Sequence, residues 1–193
     1  MRFSSSILAF SLLALVIASP LPKDDKESDK GSSKDSGKSQ SKASAAGDGV
    51  SVLQSQAYND FSVSDGTAGQ AEQDVNKLFS KIDMNNLASV SAEDLKIIKA
   101  THDVAEDAEV QGFNPAIAAA TGEEAKALEN GKIANKVLKT TATVLVLQIK
   151  IAQGEEVDPA LLEKEQAKMK KNIQLDAAAA GEAMKGVKFE GST

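Results

Sequence analysis

The stretch KIANKVLKTTATVLVLQIKIAQ, Lys132–Gln153, decides the fold. Its second half, Thr143 to Ile151, is rich in branched side chains and has the composition of a strand. Its length argues otherwise, because 22 residues pass without glycine or proline, where a strand ordinarily spans about 4–8. Ile133, Val137, Thr141, Val144, Gln148 and Ile151 fall on one helical stripe. The stretch therefore reads as a long helix with a wide apolar face, which other helices must cover.

Toward the C-terminus, Gly154 closes this helix and Val157-Asp158-Pro159 opens the next, with aspartate as cap and proline at the first helical position. Leu162, Met169, Ile173, Ala177, Ala180 and Met184 form its inner face, so the spacing predicts a helix to Met184, ended by Gly186. Toward the N-terminus, Asn130-Gly131 reads as a break, preceded by a brief helical segment that Thr121-Gly122-Glu123-Glu124 caps. The clearest start signal is Ser91-Ala92-Glu93-Asp94, a serine cap answered by an acid three residues on, with Val90 and Leu95 as a staple. From there Leu95, Ile98, Ala105 and Ala108 share a face up to Gly112, with Asp94, Lys99, Asp103, Glu106 and Asp107 pointing elsewhere. Asn114-Pro115 blocks simple continuation, leaving at most a short turn to Ala120. Upstream, Ala68, Ala71, Val75, Leu78 and Ile82 give another amphipathic helix ended by Asn85-Asn86, and 50–63 reads as an extended segment across the helices.

Four substantial helices and a fifth short one, joined by short breaks, imply an all-α fold: an up-and-down antiparallel bundle of four to five helices with a disordered N-terminal arm. The expected organisation is a signal peptide at 1–18, the arm at 19–49, the bundle at 50–189 and a tail at 190–193. Arg2, the apolar core Ile7–Ile17 and the small residues before Ser19-Pro20 make a secretory leader cut after Ala18. The arm is built almost wholly from Ser, Lys, Asp, Glu and Gly, and buries too little surface to offset the entropy of ordering. Its serines suit O-linked sugar, no N-linked sequon occurs in the chain, and the C-terminus lacks the hydrophobic tail of a lipid-anchor signal.

Composition narrows the function. Cleavage of the leader removes Arg2, the only arginine, and moves the net charge from −6 to −7. An acidic chain without arginine, with no Trp and a single Tyr, is poorly equipped for nucleic acid, so no nucleic-acid partner is expected. Cysteine is absent, so helix packing alone must stabilise the exported domain. His102 is the only histidine. With Glu106 four residues on and Asp103 or Glu109 nearby it offers metal-ligand spacing, and a one-histidine triad is arithmetically possible. The simpler reading is a histidine with an acidic i+4 neighbour on a helix surface. Paired acids at Asp24-Asp25, Glu106-Asp107, Glu123-Glu124 and Glu155-Glu156 have the residue type of glycosidases, but lack aromatics to seat a sugar. Nucleotide-binding loops and serine-hydrolase elbows are missing. The expectation is a non-enzyme with no catalytic, cofactor or metal residues.

Four segments add a resemblance: Gln56–Gly69, Asp94–Ile98, Phe113–Ile117 and Asn130–Leu138. In this order they resemble the cysteine-free small secreted proteins of filamentous ascomycete fungi, over roughly 56–189. The resemblance implies a protein of the cell wall or spore surface, similar to conidial proteins that mask the wall from host recognition, with a wall polymer or host protein as partner. It carries no catalytic motif. The alternatives are a soluble effector that binds a host protein and a carrier of a lipid or other amphiphile.

Overall fold

The computed structural model describes residues 47–193, so the expected leader and the arm up to residue 46 lie outside the described residues. The described chain is a helical bundle. Its helices are α1 (Tyr58–Phe61), α2 (Ala71–Leu78), α3 (Ala92–Asp107), α4 (Asn114–Ala119), α5 (Gly122–Ala152) and α6 (Pro159–Ala178). A minor antiparallel ribbon joins β1 (Gly66–Thr67) to β2 (Ala183–Met184), with Gly66 opposite Met184.

The Lys132–Gln153 stretch is helical, as its length requires, and forms the later two thirds of α5. At 31 residues that helix is about 46 Å long. It packs on α3 along one side and α6 along the other, with α2 against it as well. Burial on several sides explains why its branched, apolar composition spreads around the helix instead of forming a clean stripe. The expected stripe is out of phase. The buried line is Ala134, Leu138, Ala142, Leu145 and Ile149, flanked by Val137 and Val144, whereas Ile151 is exposed.

The expected break at Asn130-Gly131 is also corrected, since both residues lie buried inside α5. Gly131 is needed for space: a Cβ there would lie 2.1 Å from the Lys185 carbonyl oxygen. Asn130 Nδ2 donates to the Ala183 carbonyl (3.0 Å) and to Glu182 (3.1 Å). This pair seats the C-terminal ribbon against the middle of the bundle.

Asn114-Pro115 proves to be no break either. After α3 the chain widens into a π turn, Ala108–Phe113, and runs directly into α4 with Pro115 in the first turn of that helix. Proline lacks the N–H and crowds the carbonyl four residues back. An i to i−5 turn, closed here by Asn114 N–H on Glu109 O, relieves that crowding without ending the helix.

The caps at Ser91, Asp158 and Gly154 appear as read, whereas Thr121 stands at the N-cap position of α5 without a side-chain cap hydrogen bond. Ser91 Oγ accepts from Asp94 N–H at 3.0 Å, Asp158 accepts from Ala160 N–H at 2.9 Å, and Gly154 closes the α5 end at φ +80°. Helix α2 stops at Leu78, short of Ile82, which is still buried. Helix α6 stops at Ala178, short of Met184, because Gly181 at φ +87° turns the chain back into β2. Its buried face is polar, Asn172 and Asp176, rather than the expected apolar line, of which Ala177 and Ala180 are exposed. The 50–63 segment is extended apart from α1, as expected. Residues 190–193 are tied in: Tyr58 N–H donates to Gly191 O (2.8 Å) and Thr193 N–H to Gln56 O (3.0 Å).

Candidate functional site

Two aspartates, Asp94 and Asp176, hold other parts of the chain onto the helices, and a third, Asp65, joins two loops. Asp94, 1% exposed, accepts from Leu53 N–H at 2.8 Å, Val52 N–H at 3.0 Å, and the hydroxyls of Ser51 and Ser91 at 2.9 Å each. The expectation that it points away from the core is therefore corrected. Burial alone would raise its pKa, but the hydrogen bonds from Leu53, Ser51, Ser91 and Val52 outweigh burial and hold it below the usual carboxylate value. Asp176 of α6 accepts from Gly69 N–H (3.0 Å) and Ala71 N–H (2.9 Å). It thus caps α2, whose own N-cap residue Gln70 makes no side-chain cap. Asp65 accepts from Gly186 N–H at 2.7 Å.

Between these stitches lies a buried polar relay. Tyr58, fully buried, donates to Asn135 Oδ1 (2.8 Å), and Asn135 Nδ2 donates to the Ala105 carbonyl (2.8 Å) just before the π turn. Phe61 and Phe189 meet the Tyr58 ring edge-on at 5.6 and 5.9 Å. Burial raises the phenol pKa, so Tyr58 stays neutral.

The candidate site is an open groove of about 710 Å³ between α3, α5 and α6. His102 and Glu106 of α3, with Glu109 of the π turn, form one wall. Lys136, Lys139, Thr140 and Thr143 of α5 form the floor, and Glu165, Lys168, Lys171, Asn172 and Leu175 of α6 close the far side. The residues singled out on α3 thus come together, except Asp103, which is exposed and does not line the groove.

Lys139 reaches from the α5 floor to that wall, 2.6 Å from Glu106 and in contact with Glu109. Burial alone would lower its pKa, but hydrogen bonding to both glutamates and their charges raise it. Its hydrogen bond in turn lowers the pKa of Glu106. The acids that could have held a metal with His102 are ion-paired, Glu106 with Lys139 and Glu109 with Lys139 and with Lys132 at 4.0 Å, and among the described residues no cluster of three His, Cys, Asp or Glu could hold a metal ion.

His102 Nδ1 lies 2.8 Å from Thr143 Oγ and 3.5 Å from the Lys139 carbonyl. Thr143 Oγ donates to that same carbonyl at 3.0 Å. Thr143 Oγ thus has two acceptors within reach, and the direction of its bond to His102 follows the imidazole tautomer. In either direction the contact fixes the orientation of the ring.

The paired acids are dispersed. Glu124 meets Lys185, Glu155 meets Lys150 at 2.9 Å, and Asp107 accepts from Gln111 at 3.2 Å. Asp24-Asp25 lies outside the described residues. Sequence reasoning missed the contribution of α6 to the groove and the roles of Asp94 and Asp176. For these two, the available signal was an acid standing at a core-facing position of an amphipathic helix.

The fold and site define a cysteine-free helical bundle with an open, charge-lined groove on one side. The chain belongs to the family described as a domain of unknown function (DUF8454), whose model matches residues 53–188. The match begins at Leu53, which Asp94 holds, and runs through the C-terminal ribbon, leaving the Ser/Lys-rich arm outside. No curated protein and no solved structure matches the chain.

Proposed function

We propose that the protein is exported and acts without catalysis at the fungal cell surface or wall, shielding or organising that surface and masking it from host recognition. The observation that carries this reading is that the chemically capable groups of the groove hold one another: Lys139 is paired with Glu106 and Glu109, and Thr143 fixes His102. The leader-like sequence of Met1–Ala18 and the Ser/Lys-rich composition of the arm that follows support export and a tether at the surface.

A soluble effector that docks on a host protein is the second reading, favoured by the charged groove. The carrier reading is weaker. The small cavity beside Leu53, Phe61 and Ile97 is about 20 Å³, room for one water and not for an acyl chain. An antibody to the folded domain, applied to intact spores or hyphae, wall extract and culture fluid, tests the proposal. Enrichment at the surface or in wall extract is expected, and recovery only from culture fluid would contradict it in favour of the effector.

A further inference from the structure

We propose that the α3/α5/α6 groove is a binding site for a small hydroxylated organic anion, bearing a carboxylate or a phosphate. The charges set this out. Among the groove lysines, Lys139 is spent on Glu106 and Glu109, and Lys168 on Glu165 at 2.7 Å. Lys136 and Lys171 form no ion pair among the described residues. The groove lining thus sets four lysines against three glutamates, an excess of one positive charge in a chain whose net charge is −6, and Lys136, whose charge also acts on Glu106, and Lys171 keep ammonium groups without a direct ion pair.

Asn172 adds a polar group to the groove. It lines the groove and is 6% exposed. Its amide nitrogen reaches the Lys136 carbonyl and Thr140 Oγ at 3.5 Å each, the outer limit of a hydrogen bond. Its amide oxygen accepts no hydrogen bond from the described residues and is not a buried orphan, a state that Ser64 Oγ alone has among them. That oxygen is therefore free to accept from a ligand or from water. Asn172 stands beside Lys136, whose carbonyl it approaches, and next to Lys171 in sequence. An anion between the two ammonium groups would place hydroxyls within reach of an amide that both donates and accepts. The volume of about 710 Å³ lies in the range of small-molecule sites, about 300–1,000 Å³. This assignment stands apart from where the protein resides, so its test and the localisation test fail separately.

The test is a ¹⁵N NMR titration of the mature chain with galacturonate, glucose 6-phosphate and, as a neutral control, glucose at constant ionic strength. Saturable shifts confined to 136–143 and 165–175 are expected for one or both anions and not for glucose. Response to galacturonate alone assigns a carboxylate, and response to the phosphate alone assigns a phosphate. The Lys136→Gln/Lys171→Gln double variant is expected to weaken binding at least tenfold with an unchanged helical spectrum, whereas Lys77→Gln/Lys96→Gln leaves it unaltered. Absence of saturation, equal response to glucose, or an equal effect of both lysine pairs would overturn the proposal.

Discussion

Asp94 shows how much one side chain can organise. It ends four hydrogen bonds from a segment about forty residues upstream and from its own helix cap. Asp94→Asn keeps the shape but turns an acceptor toward donors with an amide that also donates. Replacement is expected to cost about 3 kcal/mol by the usual penalty for breaking a buried charged network, read from urea unfolding at neutral pH. The pH dependence follows from the lowered folded-state pKa. The carboxylate's contribution is complete above its unfolded value of about 4 and drains as pH falls through the lower folded value. An acid titration of stability should therefore lose slope in Asp94→Asn. Tyr58 acts at the other limit. Its raised pKa means stability is complete below about 10 and lost as pH rises beyond it, so Tyr58→Phe should be less sensitive to alkali. Asn135 joins Tyr58 to Ala105, and Asn135→Ala leaves a phenol and a carbonyl unpaired, an expected cost of about 2–4 kcal/mol. A double-mutant cycle with Tyr58→Phe should show coupling of about 1 kcal/mol or more. Apart from Ser91 with Asp94, three residues apart and readable as a capping pattern, none of these partnerships was legible in the sequence, because each joins residues at least thirty apart.

The elements show where local chemistry suffices and where it misleads. Ser91, Asp158-Pro159 and Gly154 were readable because a cap is settled within a few residues of itself. Asn130-Gly131 and Asn114-Pro115 carried equally strong local signals for breaks, but tertiary structure overrode them. Gly131 serves the approach of the Lys185 backbone, and Pro115 is absorbed by a π turn. Gly131→Ala has favourable helix propensity by itself, worth about 1 kcal/mol. With the new Cβ 2.1 Å from a backbone oxygen, the net effect should instead be a loss of about 2 kcal/mol or more. Thermal unfolding would read it, and an increase in stability would show that the ribbon yields easily. The phase of α5 escaped the reading because a helix covered from several sides shows little contrast between its faces. The end of α6 escaped because alanines from 177 to 180 continue a helix pattern until Gly181 turns the chain.

At the scale of the molecule, helix packing stabilises a chain that has no cysteine for disulfides. Asp94 and Asp176 hold its edges to α3 and α6, and Asp65 joins the turn before β1 to the segment after β2. Removing residues 190–193 deletes the backbone pairing to 56–58 and the Gln56 N–H bond to Thr193 Oγ at 3.0 Å. The expected loss is about 2 kcal/mol, a fall in Tm of roughly 4–8 °C for a domain of this size. An unchanged Tm would mean the segment adds nothing to the core beneath it. The helical bundle was legible from the sequence, whereas the groove was not, because its walls come from three helices whose facing sides only packing defines. The central claim is export, and N-terminal sequencing of the protein recovered from the cell exterior tests it most directly. A chain beginning at Ser19 is the predicted result; recovery only from inside the cell, with Met1–Ala18 still attached, would contradict it.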